Sequence, residues 1–362
     1  MRLAADATVV RRELTHARAR GIAIERLSLA NKNGIRLDTI TYGGIITSLH
    51  VPDRSGIPGD IVLGFDDPSR YTANPPPPYF GALVGRYANR IARGRFTLDG
   101  RTYTLPINEP PNHLHGGSRG FDKHVWAADT RKVPGAETIR LTRISPDGEE
   151  GYPGSVDVRV TYTLRDSNEL VVEYRAIADA ATPINLTQHT YFNLSAGASD
   201  DVLGHELMID ADRFTPIDDV LIPTGACASV DGTPFDFRSP RPIGERIGAR
   251  DAQLAHGSGY DHNWVLNHTG EGVARAARVR EPRSGRILEI WTTEPGVQFY
   301  SGNRLDGRIA GKGGRTYGKH AGLCLEPQHF PDSPNHPQFP STILRPNEEY
   351  RSTTIYRFLI DA

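Results

Sequence analysis

Short runs of alternating apolar and polar residues, separated by turn residues, dominate the chain. Ile22, Ile24, Leu27 and Leu29 lead into a turn at 31–34, Ile35, Leu37 and Ile40 follow, and Gly43-Gly44 breaks the pattern before 45–51. The clearest period-two signal sets Val156, Val158, Val160, Tyr162 and Leu164 on one face. After a turn at 165–168 the chain returns through Leu170, Val172, Tyr174 and Ala176, which predicts an antiparallel hairpin. A further strand is predicted over 186–194, with Thr187, His189, Tyr191 and Asn193 on one face and Leu186, Phe192 and Leu194 on or near the other. Ala277, Val279, the turn at Ser284-Gly285 and residues 287–291 read as another hairpin, 296–300 as a strand and 350–360 as the last one. The stretch 211–259 is loop-rich, with five prolines and a short helix expected only at 243–247. Pro75 to Pro78 read as a stiff surface link.

Length and composition turn this pattern into a fold expectation. At 362 residues the chain exceeds the size at which one core usually stops growing. The 37 glycines and 27 prolines are spread throughout, and no amphipathic helical run is long enough for a helical domain, so one large β-domain is expected. Lys and Arg (42) balance Asp and Glu (43) in a well-mixed order, which argues against a nucleic-acid or anionic-membrane surface and for a small, uncharged partner. The two cysteines, Cys227 and Cys324, form no CxxC pair, which suits a reducing compartment. With no apolar run long enough for a signal core or a bilayer span, a soluble, cytoplasmic protein is expected.

The candidate chemistry centres on Glu326 in Leu323-Cys324-Leu325-Glu326-Pro327-Gln328-His329. The apolar residues read as the end of a buried strand that Pro327 stops, leaving a partly desolvated carboxylate beside hydrogen-bonding groups. Burial raises a carboxyl pKa and hydrogen bonds lower it, which is how a general base is tuned; the plain alternative is a glutamate facing water. Arg86 and Arg90 flank Asn89, and either is an ion-pair partner of a strand or a planar donor fork aimed into a pocket. His113 and His115 alternate across Leu114 and so are expected on one face, while Gly116-Gly117 would let a ligand approach the backbone. No Cys cluster, HExxH or acidic loop completes a metal site around them, so no metal is expected. Gly311-Lys312-Gly313-Gly314 lacks the context of a phosphate loop.

Taken together, GRYANRI, NHLHGG, LTQHTYFNL, GYDHNW, VQFYSGN and GLCLEPQHFPDSPNHP, six stretches in matching order between about residues 22 and 360, resemble the aldose 1-epimerase (galactose mutarotase) family. The resemblance implies an all-β fold, one large antiparallel β-sandwich over 21–362 with an open sugar cleft; separately, the extension over 1–20, the part that the resemblance does not match, is expected to be poorly ordered. The resemblance implies Glu326 as general base, His189 as general acid and His115 assisting at the ring oxygen, with Arg90, Asp261, Gln298 and Asn89 binding the sugar. No cofactor is implied, and the expected assembly is a monomer or weak homodimer.

The chemistry fits those residue types. Anomers differ only in which face of C1 carries the hydroxyl, so a base and an acid suffice to open and close the hemiacetal. A glutamate of ordinary pKa about 4.3 and a histidine of about 6.5 suit an ionised base and a protonated acid, and their attraction is expected to keep His189 charged towards neutral pH. Three alternatives stand beside this reading. An epimerase of a phosphorylated hexose would need a basic cluster, a glycosidase would use Glu326 and Asp261 as paired carboxyls, and a non-catalytic sugar-binding protein would be expected to have lost the acid or base.

Overall fold

Valines and tyrosines spaced two apart build the widest layer of the molecule. The structure is a computed structural model that describes residues 11–17, 22–74, 76–133, 136–268 and 272–361. Its nine-stranded sheet runs, from one edge, Ala127–Val133, Ala136–Ser145, Val156–Arg165, Glu169–Ala178, Tyr350–Ile360, Arg286–Thr292, Ala274–Arg280, Glu206–Ile209 and Arg241–Pro242. All its pairings are antiparallel. The hairpin expected around 165–168 closes with Arg165 opposite Glu169, and Asn168 takes the left-handed conformation (φ 63°) that such a loop requires. The C-terminal strand Tyr350–Ile360 lies in the middle, so the end of the chain ties the two halves of the sheet together.

Val156, Val158, Val160, Tyr162 and Leu164 are all buried, as are Leu170, Val172, Tyr174 and Ala176. Each fully buried aliphatic side chain contributes about 1.5–3 kcal/mol. Their partners across the core come from a six-stranded sheet ordered Tyr191–Phe192, Leu323–Gln328, Gly296–Tyr300, Asp261–Val265, Arg213–Thr215 and Ala228–Ser229. Phe192, Phe214, Trp264, Val297, Phe299, Leu323 and Leu325 from this sheet join that core. The alternate residues of the same strands, Tyr191, Tyr300 and Cys324, pack into a second cluster with Phe80 and Tyr317. This alternation gives the six-stranded sheet one dry face and one that receives the functional side chains. The result is an all-β sandwich of large antiparallel sheets.

A third sheet holds Arg11–Ala17, Ile22–Ala30, Arg36–Ile40, Ile46–Pro52 and Pro58–Asp60 in chain order. Of the N-terminal extension, residues 1–10 and 18–21 lie outside the described residues, while Arg11–Ala17 pairs antiparallel with Ile22–Ala30. Pro75 of the proline link also lies outside them. Among the described residues no helix is long and apolar enough to cross a membrane.

Three local expectations are corrected. The strand expected over 186–194 is two: Thr187–His189 pairs with Ala82–Val84, and Tyr191–Phe192 pairs with Leu323–Gln328. The helix expected at 243–247 is a single 3-10 turn, Ile243–Glu245. The α-helical turn lies instead at Ala252–Gly257, capped by the Asp251 side chain, which accepts from the N–H groups of Gln253 and Leu254. Pro327 does not stop its strand. Leu323–Gln328 pairs through Pro327 to Gln328, and Thr187 Oγ1 donates to the Pro327 carbonyl. A strand residue directs N and C=O to the same side, so the nitrogen that lacks a hydrogen also faces away from the Gly296–Tyr300 ladder, where no bond is lost.

Candidate active site

Glu326 lies inside its strand rather than at the end, directly opposite Gln298 and only 2% exposed. It forms one wall of a cavity of about 200 Å³ shared with Asn89, Arg90, His115, His189, Asp261 and a set of tyrosines. Hollows of about 650 and 680 Å³ elsewhere are larger, but neither brings two imidazoles, two carboxyls and a guanidinium together.

His189 ends the Thr187–His189 strand. Its Nε2 stands 3.7 Å from Glu326 Oε1, and its Nδ1 lies 3.5 Å from the Cys324 sulfur. Tyr79 and Tyr191 stack against its ring at 5.7 and 5.1 Å between centroids. Burial pushes the His189 pKa down to about 4 and, with the Asp261 charge adding to it against Arg90, holds Glu326 well above the ordinary carboxyl range. The expectation that His189 stays charged near neutral pH is therefore corrected. Ion-pair attraction at 3.7 Å does not offset the loss of hydration on both groups, so the cavity favours a protonated carboxyl beside a neutral imidazole.

His115 is placed by a reversal of the backbone. His113 and Leu114 form a two-residue strand, and His115 then turns into the left-handed region (φ 50°). The two histidines do not share a face. His113 is bound between the Pro106 carbonyl (2.8 Å) and the Tyr152 hydroxyl (2.7 Å) in a separate cluster, and His115 packs edge-on to His189 at 5.1 Å. The Asn89 N–H donates to His115 Nδ1 at 3.1 Å, so a neutral His115 carries its proton on Nε2 and is a donor there. Burial, then the neighbouring His189, Arg90 and Lys123, hold it neutral. Gly116 and Gly117 do not open the backbone to a ligand: a Cβ on Gly116 would overlap the Gly85 carbonyl, and one on Gly117 the Glu150 carboxylate.

Between the two candidate arginines the structure decides. Arg86 is buried, with its guanidinium on Ser145 and on the carbonyls of Pro146, Pro153 and Gly154, so it fastens loops. Arg90 reaches the cavity. Its Nε and Nη2 donate to Glu109 at 2.6 and 3.0 Å, and its Nη2 lies 4.0 Å from Asp261 Oδ2. Burial raises the Asp261 pKa against the pull of Arg90 and Gln298. Gln298 itself is not on the cavity wall; its Nε2 donates to Asp261 Oδ1 at 2.7 Å from behind. Asn89, also left-handed (φ 63°), offers its Oδ1 to the Arg90 N–H.

Reading the sequence missed Glu109, Arg304 and Tyr79. Glu109 accepts from both Arg90 and Arg304, and the Arg304 N–H donates to the Tyr300 hydroxyl at 2.8 Å. Tyr79 follows the proline run, whose stiffness delivers the ring against both histidines, 4.6 Å from His115. Among the described residues, His115, His189 and Glu326 are the one group whose ligand atoms lie within 4.8 Å of each other. The Asn89 N–H on Nδ1 makes His115 Nε2 a donor, which has the wrong polarity for a metal ligand.

Comparison with known proteins adds an independent line. The sequence model of the family described as Aldose 1-epimerase matches residues 25–357. The chain is 51% identical over 340 residues to galactose mutarotase from Rattus norvegicus, covering 94% of this chain and 95% of the relative. It is 40% identical over 337 residues to aldose 1-epimerase from Escherichia coli, covering 92% and 95%. The crystal structure of an aldose epimerase homologue from C. elegans superposes with a TM-score of 0.84 at 32% identity, covering 93% of this chain and 99% of that one.

Proposed function

This chain belongs to the aldose 1-epimerase family, and we propose that it interconverts the α and β anomers of free aldohexoses such as galactose and glucose. The observation that carries the reading is the pairing of Glu326 Oε1 and His189 Nε2, 3.7 Å apart on the wall of a cavity that also holds Arg90, His115 and Asp261. Glu326 takes the proton from the C1 hydroxyl, that oxygen becomes the aldehyde carbonyl as the C1–O5 bond breaks, and His189 gives its proton to O5. Rotation about C1–C2 presents the other face, and closure returns both protons. The anomers stand at one oxidation state, so net chemistry requires only these transfers.

The charge states favour the ring-opening step. Ring opening begins from an ionised Glu326 and a protonated His189 and leaves Glu326 protonated and His189 neutral, which is the arrangement that burial favours. The ionic pair that starts the step holds the same single proton, moved to His189. Sugar hydroxyls donating to Glu326 and accepting from His189 offset its cost. His115 Nε2–H is a fixed donor for the ring oxygen, Asp261 and Arg90 bind hydroxyls, and the tyrosines face the C–H groups. Both cavity arginines already bind Glu109, which favours a neutral sugar over a phosphorylated one. Polarimetry of freshly dissolved α-D-galactose and α-D-glucose tests the proposal. Decay of rotation faster than in buffer is expected, and folded protein that leaves both rates unchanged would contradict it.

A further inference from the structure

Beside the cavity, the same face of the six-stranded sheet carries more polar groups than this chemistry uses. Residues two apart on a strand share a face, and so do residues opposite each other across a ladder. Glu326 therefore shares its face with Gln328 on its own strand, with Gln298 and Gly296 opposite these two, and with Asn263 opposite Gln298. Asn263, Gln298, Glu326 and Gln328 are each 3% exposed or less. Six of their atoms have no protein hydrogen-bond partner: Asn263 Oδ1 and Nδ2, Gln298 Oε1, Glu326 Oε2, and Gln328 Oε1 and Nε2. Buried polar atoms are nearly always satisfied, so six together on one patch mark a ligand of their own.

Gly296 shapes that patch. A Cβ there would overlap Asn263 Oδ1 and press on the Phe330 ring, so the glycine lets the Asn263 amide lean over the strand at the residue that faces Gln328. The two oxygens of Glu326 are thereby distinguished. Oε1 is the one near His189, and Oε2 is buried with no protein partner.

We propose that Asn263 and Gln328 are positioning residues which, with Gln298, hold Oε2 of Glu326 through ordered water beside the cavity. The inference rests on the reading of Glu326 as the general base. An amide offers both donor and acceptor, so water shared by these groups can give a hydrogen to the carboxylate and still satisfy the amides, and two to four polar partners are what a buried water needs. Such hydrogen bonds favour the ionised carboxylate and oppose the effect of burial and of Asp261. The charged and titratable groups that face Glu326 are His189 and His115, Asp261 and Arg90, Cys324 on its own strand, and Tyr191 and Tyr356 from the elements beside it. Each of these bears on protonation by charge, and the amides bear on it by hydrogen bonding alone.

The test compares kcat, KM and their pH profiles for wild type, Asn263→Leu, Gln328→Leu and Glu326→Gln. Losing a hydrogen bond to the carboxylate raises its pKa by about one unit. Each leucine variant is expected to lower kcat about tenfold, to leave KM within about twofold, and to move the alkaline limb up by about one pH unit with the acid limb in place. A merely structural role would not move one limb alone. Inactive Glu326→Gln with wild-type profiles in both leucine variants would overturn this inference and leave the base reading standing; an active Glu326→Gln would remove both. Should the leucine variants not fold, a high-resolution crystal structure of the wild type decides. Water within about 3.2 Å of Glu326 Oε2 and of either amide supports the inference, and a dry patch overturns it.

Discussion

Glu326 Oε1 and His189 Nε2 stand 3.7 Å apart with one proton to share, in surroundings that disfavour charge on either. Groups so close titrate as a pair, and under the proposed mechanism the pair is active only while it holds a single proton. A second proton must go onto His189, whose pKa lies at about 4, and loss of the only proton leaves an unpaired Glu326 carboxylate, which burial resists. The rate of mutarotation is therefore expected to follow a bell with its acid limb near pH 4 and a plateau through neutral pH. Stopped-flow polarimetry from pH 3 to 10 measures it. An acid limb near the ordinary histidine value of about 6.5 would mean that His189 is hydrated and that the pair is not as described.

Glu109 holds Arg90 through two hydrogen bonds and binds Arg304, whose side chain is 60% exposed at the cavity mouth. Glu109→Gln removes the charge that orients both guanidiniums while leaving Glu326 and His189 untouched. The expected result is a KM raised about tenfold or more with kcat within a few-fold, the signature of lost binding in ground and transition states alike. Steady-state kinetics on α-D-galactose would contradict it by showing an unchanged KM.

His262 is buried among Phe214, Phe235 and Trp264, and burial lowers its pKa to about 3. Between that value and about 6.5 the unfolded chain binds a proton that the folded one refuses, so this residue makes stability fall as pH falls through the window. Going from pH 7 to 5, wild type should lose about 2 kcal/mol relative to His262→Phe. The pH-independent cost of the substitution cancels in this difference. Denaturant midpoints of the two proteins at both pH values test it, and a difference that does not change with pH would show that His262 is accessible to protons.

Much of the sandwich was legible because strands that bury one face write a period-two pattern, as in Val156 to Leu164, and because Asn168 and Gly285 sit where loops need them. Six of the seven candidate residues line one cavity, and Gln298 lies behind Asp261. What the sequence hid depends on backbone direction and on hydration. His115 leaves the face of His113 through a positive φ that no alternation rule anticipates. Pro327 stays in its strand because its missing hydrogen faces a side where nothing is lost. The stretch 186–194 divides between two sheets although its composition is continuous. The charge states of Glu326 and His189 follow from how much protein surrounds them, and opposite charge alone pointed the wrong way.

The most direct measurement is polarimetry of α-D-galactose with wild type and Glu326→Gln, alongside galactose binding to both by calorimetry. The amide keeps the size of the side chain and cannot take a proton, so the variant should bind sugar and turn it over at least about a hundredfold more slowly, as loss of a general base requires. A variant that binds galactose and opens it at close to the wild-type rate would contradict the central claim that Glu326 carries the proton from C1.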